Sequence, residues 1–219
     1  MLNFANAGRR SLKSFLDFAK RSACIMKCVH TLELCRSDIG STYEDPETDP
    51  AYADIAELLS KDTLPRLCSV ILTSVLVAPP VDPIVPRNMD STLLPKLQNL
   101  TINLYDRYWI AHGDLVAAGF FDLLSLFGEV EHLELCAIFD YGSIHPPRFR
   151  YLQVQSLSIL EVTGSSQFYE ALCSFDSFKS LRHLRMQSAE TPLVPQLTSY
   201  VEHLHVIENC KTLILVQPS

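Results

Sequence analysis

The sequence is poor in glycine. Seven glycines in 219 residues, never clustered, leave no backbone cradle for a phosphate group. A G-x-S-x-G elbow and an H-E-x-x-H helix are both missing, which removes two common hydrolytic designs. No apolar run reaches the about 18 residues that a membrane-spanning helix needs, and no secretory h-region opens the chain. Positive charge is scarce too. At a net charge of −7 the surface as a whole offers no footprint for nucleic acid. The exception is residues 1–28, where Arg9, Arg10, Lys13, Lys20, Arg21 and Lys27 face the single acid Asp17. That segment faintly resembles a mitochondrial presequence, but Leu12, Phe15, Leu16 and Phe18 suit a packed first helix equally well. The cysteines number seven, an odd count without framework spacing. Free thiols in a reducing compartment, cytoplasmic or nuclear, are the expectation. Asn99-Leu100-Thr101 matches a glycosylation sequon, which this compartment makes a chance match.

What the sequence has in abundance is one pattern. At 47% hydrophobic and 20% charged residues the composition suits a folded chain rather than a disordered one. VHTLELC (29–35), VEHLELC (130–136) and LRHLRM (181–186) are near copies. The shared form is apolar-x-x-apolar-x-apolar. It recurs at Val29-Leu32-Leu34, Leu67-Val70-Leu72, Leu97-Leu100-Ile102, Val130-Leu133-Leu135, Val154-Leu157-Ile159 and Leu181-Leu184-Met186. Two copies share a leucine–proline lead, LPRL from Leu64 and LPKL from Leu94. Successive first positions are 38, 30, 33, 24 and 27 residues apart, a loose version of the leucine-rich-repeat period.

Each unit ends in a period-two alternation, which predicts a strand. Helical spacing lies between units. Residues 51–61 carry Ile55, Leu58 and Leu59 on one stripe, with Asp49 as cap and Pro50 at the first helical position. Residues 114–127 present Leu115, Phe121, Leu124 and Phe127 and stop at Gly128. Residues 166–175 carry Phe168, Leu172 and Phe175. One strand with one helix cannot bury its own apolar faces, but stacked units can. The expected fold is therefore α/β: a leucine-rich-repeat-like solenoid with a curved parallel sheet inside and helices outside. Residues 1–28 form an N-terminal helix that caps the array, and 29–219 form the repeat domain continuous with it. Near the end the pattern is ambiguous. VEHLHV (201–206) resembles another strand, but it would start only 20 residues after Leu181. A helix over 195–208, with Val194, Leu197, Val201 and Leu204 on one stripe, restores the spacing. That helix is the expectation, followed by an apolar strand at 212–216. Proline-rich or acidic insertions at 36–50, 78–94 and 140–150 leave the array on one edge and are candidate contact loops.

The outward positions of the strands are the candidate site. They are Thr31, Glu33 and Cys35; Ser69, Ile71 and Thr73; Asn99, Thr101 and Asn103; His132, Glu134 and Cys136; Ser156, Ser158 and Leu160; and His183, Arg185 and Gln187. From these, Glu33, Thr73, Asn99, Thr101, Asn103, His132, Glu134, Ser156, Ser158, His183, Arg185 and Gln187 are the expected partner-binding residues. The set is mixed and polar, without the opposed acid and base of a catalytic pocket. Aromatics are missing from it, which argues against base stacking. No catalytic residue, cofactor or resident metal is expected. Cys24 and Cys28 lie four apart, but no second pair at zinc-ribbon spacing follows. Cys68, Cys136 and Cys173 read as small half-buried hydrophobes.

Several segments together resemble the leucine-rich region of basidiomycete-type fungal F-box proteins. FLDFAKRSACIMKCVHTLELC, DPETDPAYADIAELLSKDTLPRLCSVIL, LPKLQNLTI, FGEVEHLELC, LEVTGSSQFYEAL and FKSLRHLRM carry the likeness, over most of 11–190 and through their order rather than any single motif. The resemblance implies a non-enzymatic scaffold whose repeats hold a protein substrate, while an F-box docks on the adaptor of a cullin–RING ubiquitin ligase. No F-box is expected in these residues, so adaptor docking carries over to none of them. Two other readings fit the same residues. One is a shortened structural relative without adaptor binding. The other is a metal-binding protein using His132 and His183.

Overall fold

The computed structural model describes residues 2–4, 9–35, 52–75, 94–103, 120, 123–136, 152–160, 180–187, 203–208 and 211–216, and of 2–4, 9–11, 52, 203–208 and 211–216 the backbone alone. All six copies of the repeated pattern form strands: β2 (Thr31–Cys35), β3 (Ser69–Thr73), β4 (Lys96–Asn103), β5 (Glu129–Cys136), β6 (Gln153–Leu160) and β7 (His183–Met186). Three more strands join them, β1 (Leu2–Phe4), β8 (His203–Glu208) and β9 (Lys211–Val216). The nine make one sheet in strict chain order, β1 to β9. Every pair from β1·β2 to β7·β8 is parallel. Parallel neighbours need a crossover, and crossovers are right-handed almost without exception. The described strands bury alternate residues, and the residues between them on the opposite face are exposed or half-buried.

The described helices obey this geometry. α1 (Arg9–Arg21) and α3 (Tyr52–Leu59) supply Leu12, Phe15, Leu16 and Ala19, and Ile55, Leu58 and Leu59, to the same core as the inward strand residues. Between them α2 (Ala23–Met26) adds Met26. The core is a single cluster reaching from Leu12 to Met186. Each leucine buried there contributes about 1.5–3 kcal/mol. Phe18, expected to pack with Phe15, is instead exposed. The stripe at 12, 15, 16 and 19 has the helical spacing, and Phe18 lies beside it with its ring centroid 6.2 Å from that of Phe15. Lys20 binds Glu57 at 2.7 Å and ties α1 to α3 on the surface. Asp54 stands in the first turn of α3, where a helix end favours negative charge. The proposed caps Asp49 and Pro50, the positions Leu115 and Phe121, and the 166–175 stripe lie outside the described residues. So do the insertions at 36–50, 78–93 and 140–150. Leu124 and Phe127 are buried as their spacing predicts, and Phe120 joins them.

Hydrogen bonds explain the two-residue gap in the repeated pattern. The carbonyl of His30 accepts from the amides of Cys68 at 2.9 Å and Ser69 at 3.0 Å. One strand later the carbonyl of Cys68 accepts from Gln98 at 2.7 Å and Asn99 at 3.1 Å. Two successive amides on one acceptor bend the strand, so one step of the alternation is skipped. Hence Leu97 and Leu100 are both buried while Gln98 and Asn99 between them are both exposed. The leucine–proline lead has its own place. Leu64 and Leu94 are buried just before the strands, and the Pro95 carbonyl accepts from the Gly128 amide at 3.2 Å.

Three expectations need correction. Residues 2–4 are a strand, not part of the first helix, and pair with Leu32, Glu33 and Leu34. Three residues are too few to show a period, and the open edge of β2 supplies their ladder. Residues 203–208 are a strand, not the end of a helix over 195–208. Leu204 and Val206 stand in register with Leu184 and Met186, so the strand extends the parallel ladder of β7. The 20 residues from His183 to His203 suffice, because a parallel crossover needs only about a dozen. Finally, β9 runs antiparallel to β8, with Glu208 opposite Lys211. The last strand therefore starts no further parallel unit.

Candidate functional site

The alternation that buries one set of strand residues places the other set on the opposite face of the sheet. Register arranges that set in rows. The first row runs Thr31, Ser69, Asn99, His132, Ser156, His183 and His203. The second runs Asn3, Glu33, Ile71, Thr101, Glu134, Ser158, Arg185 and His205. The third runs Cys35, Thr73, Asn103, Cys136 and Leu160. Gln187 continues the ladder past the end of β7, its amide bound to the Ile159 carbonyl at 3.1 Å.

All twelve expected site residues therefore lie on one face, and every one is exposed or half-buried. They form a continuous strip rather than a pocket. Glu134 and Arg185 lie in the same row but with Ser158 between them. Two strand spacings separate their Cα atoms by about 9.6 Å. The face thus carries opposite charges two strands apart. His132 and His183 are likewise separated by Ser156. Three positions of the rows are absent from the eighteen outward positions expected from the sequence: Asn3, His203 and His205. Asn3 sits in a strand too short to be seen in the sequence. The two histidines are legible as an alternating pair, but the competing helical stripe outweighs that signal.

Local electrostatics are mild. Lys96 binds Glu129 at 2.6 Å across adjacent strands, both more than half exposed, so the pair contributes little stability. His132 Nε2 lies 3.6 Å from the Glu131 carboxylate, also exposed. The Cys35 thiol stands opposite Thr73 in register. Partial burial pushes it up from its ordinary 9.0, the Thr73 hydroxyl opposes the shift, and the Glu33 carboxylate adds to it. Cys35 Sγ donates to Glu33 Oε1 at 3.6 Å. Cys68 Sγ donates to the His30 carbonyl at 3.3 Å, so this half-buried thiol serves the strand bend. Cys24 and Cys28 are exposed.

Among the residues with described side chains, no three of His, Cys, Asp and Glu come together as metal ligands. No described helix is long and apolar enough to cross a membrane. Comparison with protein-family models, with curated proteins and with solved structures finds no match.

Proposed function

We propose that the chain is a leucine-rich-repeat solenoid that recognises a protein partner. In this reading the sheet curves, its uncovered face is concave, and the helices line the convex side. The supporting observation is the set of in-register polar rows across β2 to β7, exposed or half-buried along their whole length. Their mixed chemistry, with Glu134 and Arg185 two strands apart in one row, suits selection of a surface of complementary charge. In this proposal, which the resemblance to fungal F-box proteins motivates, the chain is the substrate-binding part of a ubiquitin ligase subunit wherever an F-box accompanies it.

Size constrains the contact. Six strands about 4.8 Å apart and three rows about 6.7 Å apart cover roughly 24 by 13 Å. That projects to roughly 300 Å², below the about 800 Å² that each partner gives to a stable interface. Sequence flanking the strands, including the insertions at 36–50, 78–94 and 140–150, therefore contributes area in this proposal.

The test is photo-crosslinking from Ser158, followed by affinity measurement on the captured protein. Glu134→Lys with Arg185→Glu is expected to weaken binding by at least about 1 kcal/mol, the level that marks an energetically important contact. Unchanged affinity in that variant, with binding lost on substitutions in the three insertions, would place the contact elsewhere.

A further inference from the structure

Charge on β5, β6 and β7 is sorted by strand. Position 131 lies between the register pairs Val130↔Val154 and His132↔Ser156, so Glu131 stands beside Gln155. The Arg182 amide donates to the Gln155 carbonyl at 2.8 Å, which sets Arg182 on the other side of that strand. Further along the same strands stand Glu134, Ser158 and Arg185. The order carboxylate, neutral group, guanidinium thus occurs twice across the three strands. Glu131, Gln155, Arg182 and Arg185 are exposed, and Glu134 and Ser158 are half-buried. From this repeated order we infer that β5 to β7 dock an extended peptide segment whose successive side chains alternate in charge. The inference rests on the recognition reading and names the chemistry of its partner.

Spacing decides what fits. Adjacent strands are about 4.8 Å apart, so a chain lying along β6 is offset by that much from the acidic column and equally from the basic one. Both columns lie inside the Debye length of about 10 Å at 0.1 M salt, so such a chain meets two fields of opposite sign. An extended chain sends successive side chains to opposite sides. Cationic side chains at alternate positions then reach towards β5, and the anionic ones between them towards β7. Like charges recur along such a partner every about 6.6 Å, and long side chains take up the remaining difference between the two rows.

The same arrangement rejects other partners. A uniformly charged segment is attracted by one column and repelled by the other. A segment with its charges in separate blocks cannot satisfy both columns within one row, and such mismatches are how an interface discriminates. On the far side of β5 the acidic column borders Thr101, in register with Glu134, so no charge on β4 offsets that carboxylate. His132 lies 3.6 Å from Glu131 and offsets it only when protonated, so the test is run at pH 8.

The test measures fluorescence anisotropy of peptides carrying one neutral label against the full chain at low salt. Each peptide has the length of β6, 8 residues: alternating lysine and glutamate, the same composition in two blocks, all lysine, and all glutamate. The alternating peptide is expected to bind at least about fivefold more tightly than the other three, the return on a few exposed ion pairs, and to weaken as salt rises. Reversing the acidic column alone, with Glu131→Arg and Glu134→Arg, should transfer the preference to the all-glutamate peptide. Adding Arg182→Glu and Arg185→Glu should restore it to the alternating peptide, which meets the exchanged columns by shifting one residue. Circular dichroism verifies that each variant is folded, and the wild-type preference stands independently of the variants. No binding of the alternating peptide, equal binding of the block peptide, or no restoration in the folded four-residue variant overturns the inference. A partner captured from Ser158 through a segment without alternating charge overturns it as well and leaves the recognition reading standing.

Discussion

Leu100 and Leu133 are register partners on adjacent parallel strands, 0% and 1% exposed. Each is the middle apolar residue of its repeat, so each fills the same layer of the core. The layer continues through Leu157 and Leu184. Leu133→Ala opens a cavity inside one continuous cluster and should cost about 2–5 kcal/mol. Chemical denaturation read by circular dichroism checks this. An unchanged midpoint would show that Leu133 is not part of the packed layer.

The cysteines should separate by reactivity. Cys24 and Cys28 are exposed, whereas Cys35 is half-buried and burial raises its thiol pKa above 9.0. Less thiolate at neutral pH means slower alkylation. Timed iodoacetamide labelling read by mass spectrometry should show Cys24 and Cys28 modified well before Cys35. The raised folded pKa also sets a sign. The contribution of Cys35 to stability is fully present below pH 9.0 and is lost as pH rises through the folded value. Stability at pH 10 should therefore fall less in Cys35→Ala than in the wild type.

The antiparallel pairing of β8 and β9 makes a spectroscopic prediction. His205 and Ile214 are opposed in the antiparallel β8·β9 ladder, and opposed residues in such a ladder lie about 4.5–5.5 Å apart between Cα atoms. Backbone nuclear Overhauser contacts are expected between positions 205 and 214 and between 207 and 212. Sequential helical contacts through 203–208, with no cross-strand contact, would restore the helix.

Much of the fold is legible in the sequence because burial of a strand is written two residues at a time. Val70 and Leu72, or Leu133 and Leu135, mark the inward face without any knowledge of neighbours. Their alternates, Ser69, Ile71 and Thr73 or His132 and Glu134, mark the other face by the same rule. The ends are less legible. VEHLHV fits a strand by alternation and a helix by the stripe through Leu197, Val201 and Leu204, and both fits are local. Repeat spacing favours the helix, but the unpaired edge of β7 favours the strand, and that edge exists only once β7 has folded.

The sequence by itself determined where the six repeated strands lie, which residues enter the core and which remain outside, because side-chain hydrophobicity and the period of the backbone are local properties. Tertiary structure alone decided that β1 adds to the near edge, that 203–208 pairs with β7, and that β9 turns back antiparallel. It also decided that His183 stands beside His203. These outcomes depend on backbone hydrogen bonds between segments distant along the chain, and no local pattern specifies which amide will meet which carbonyl.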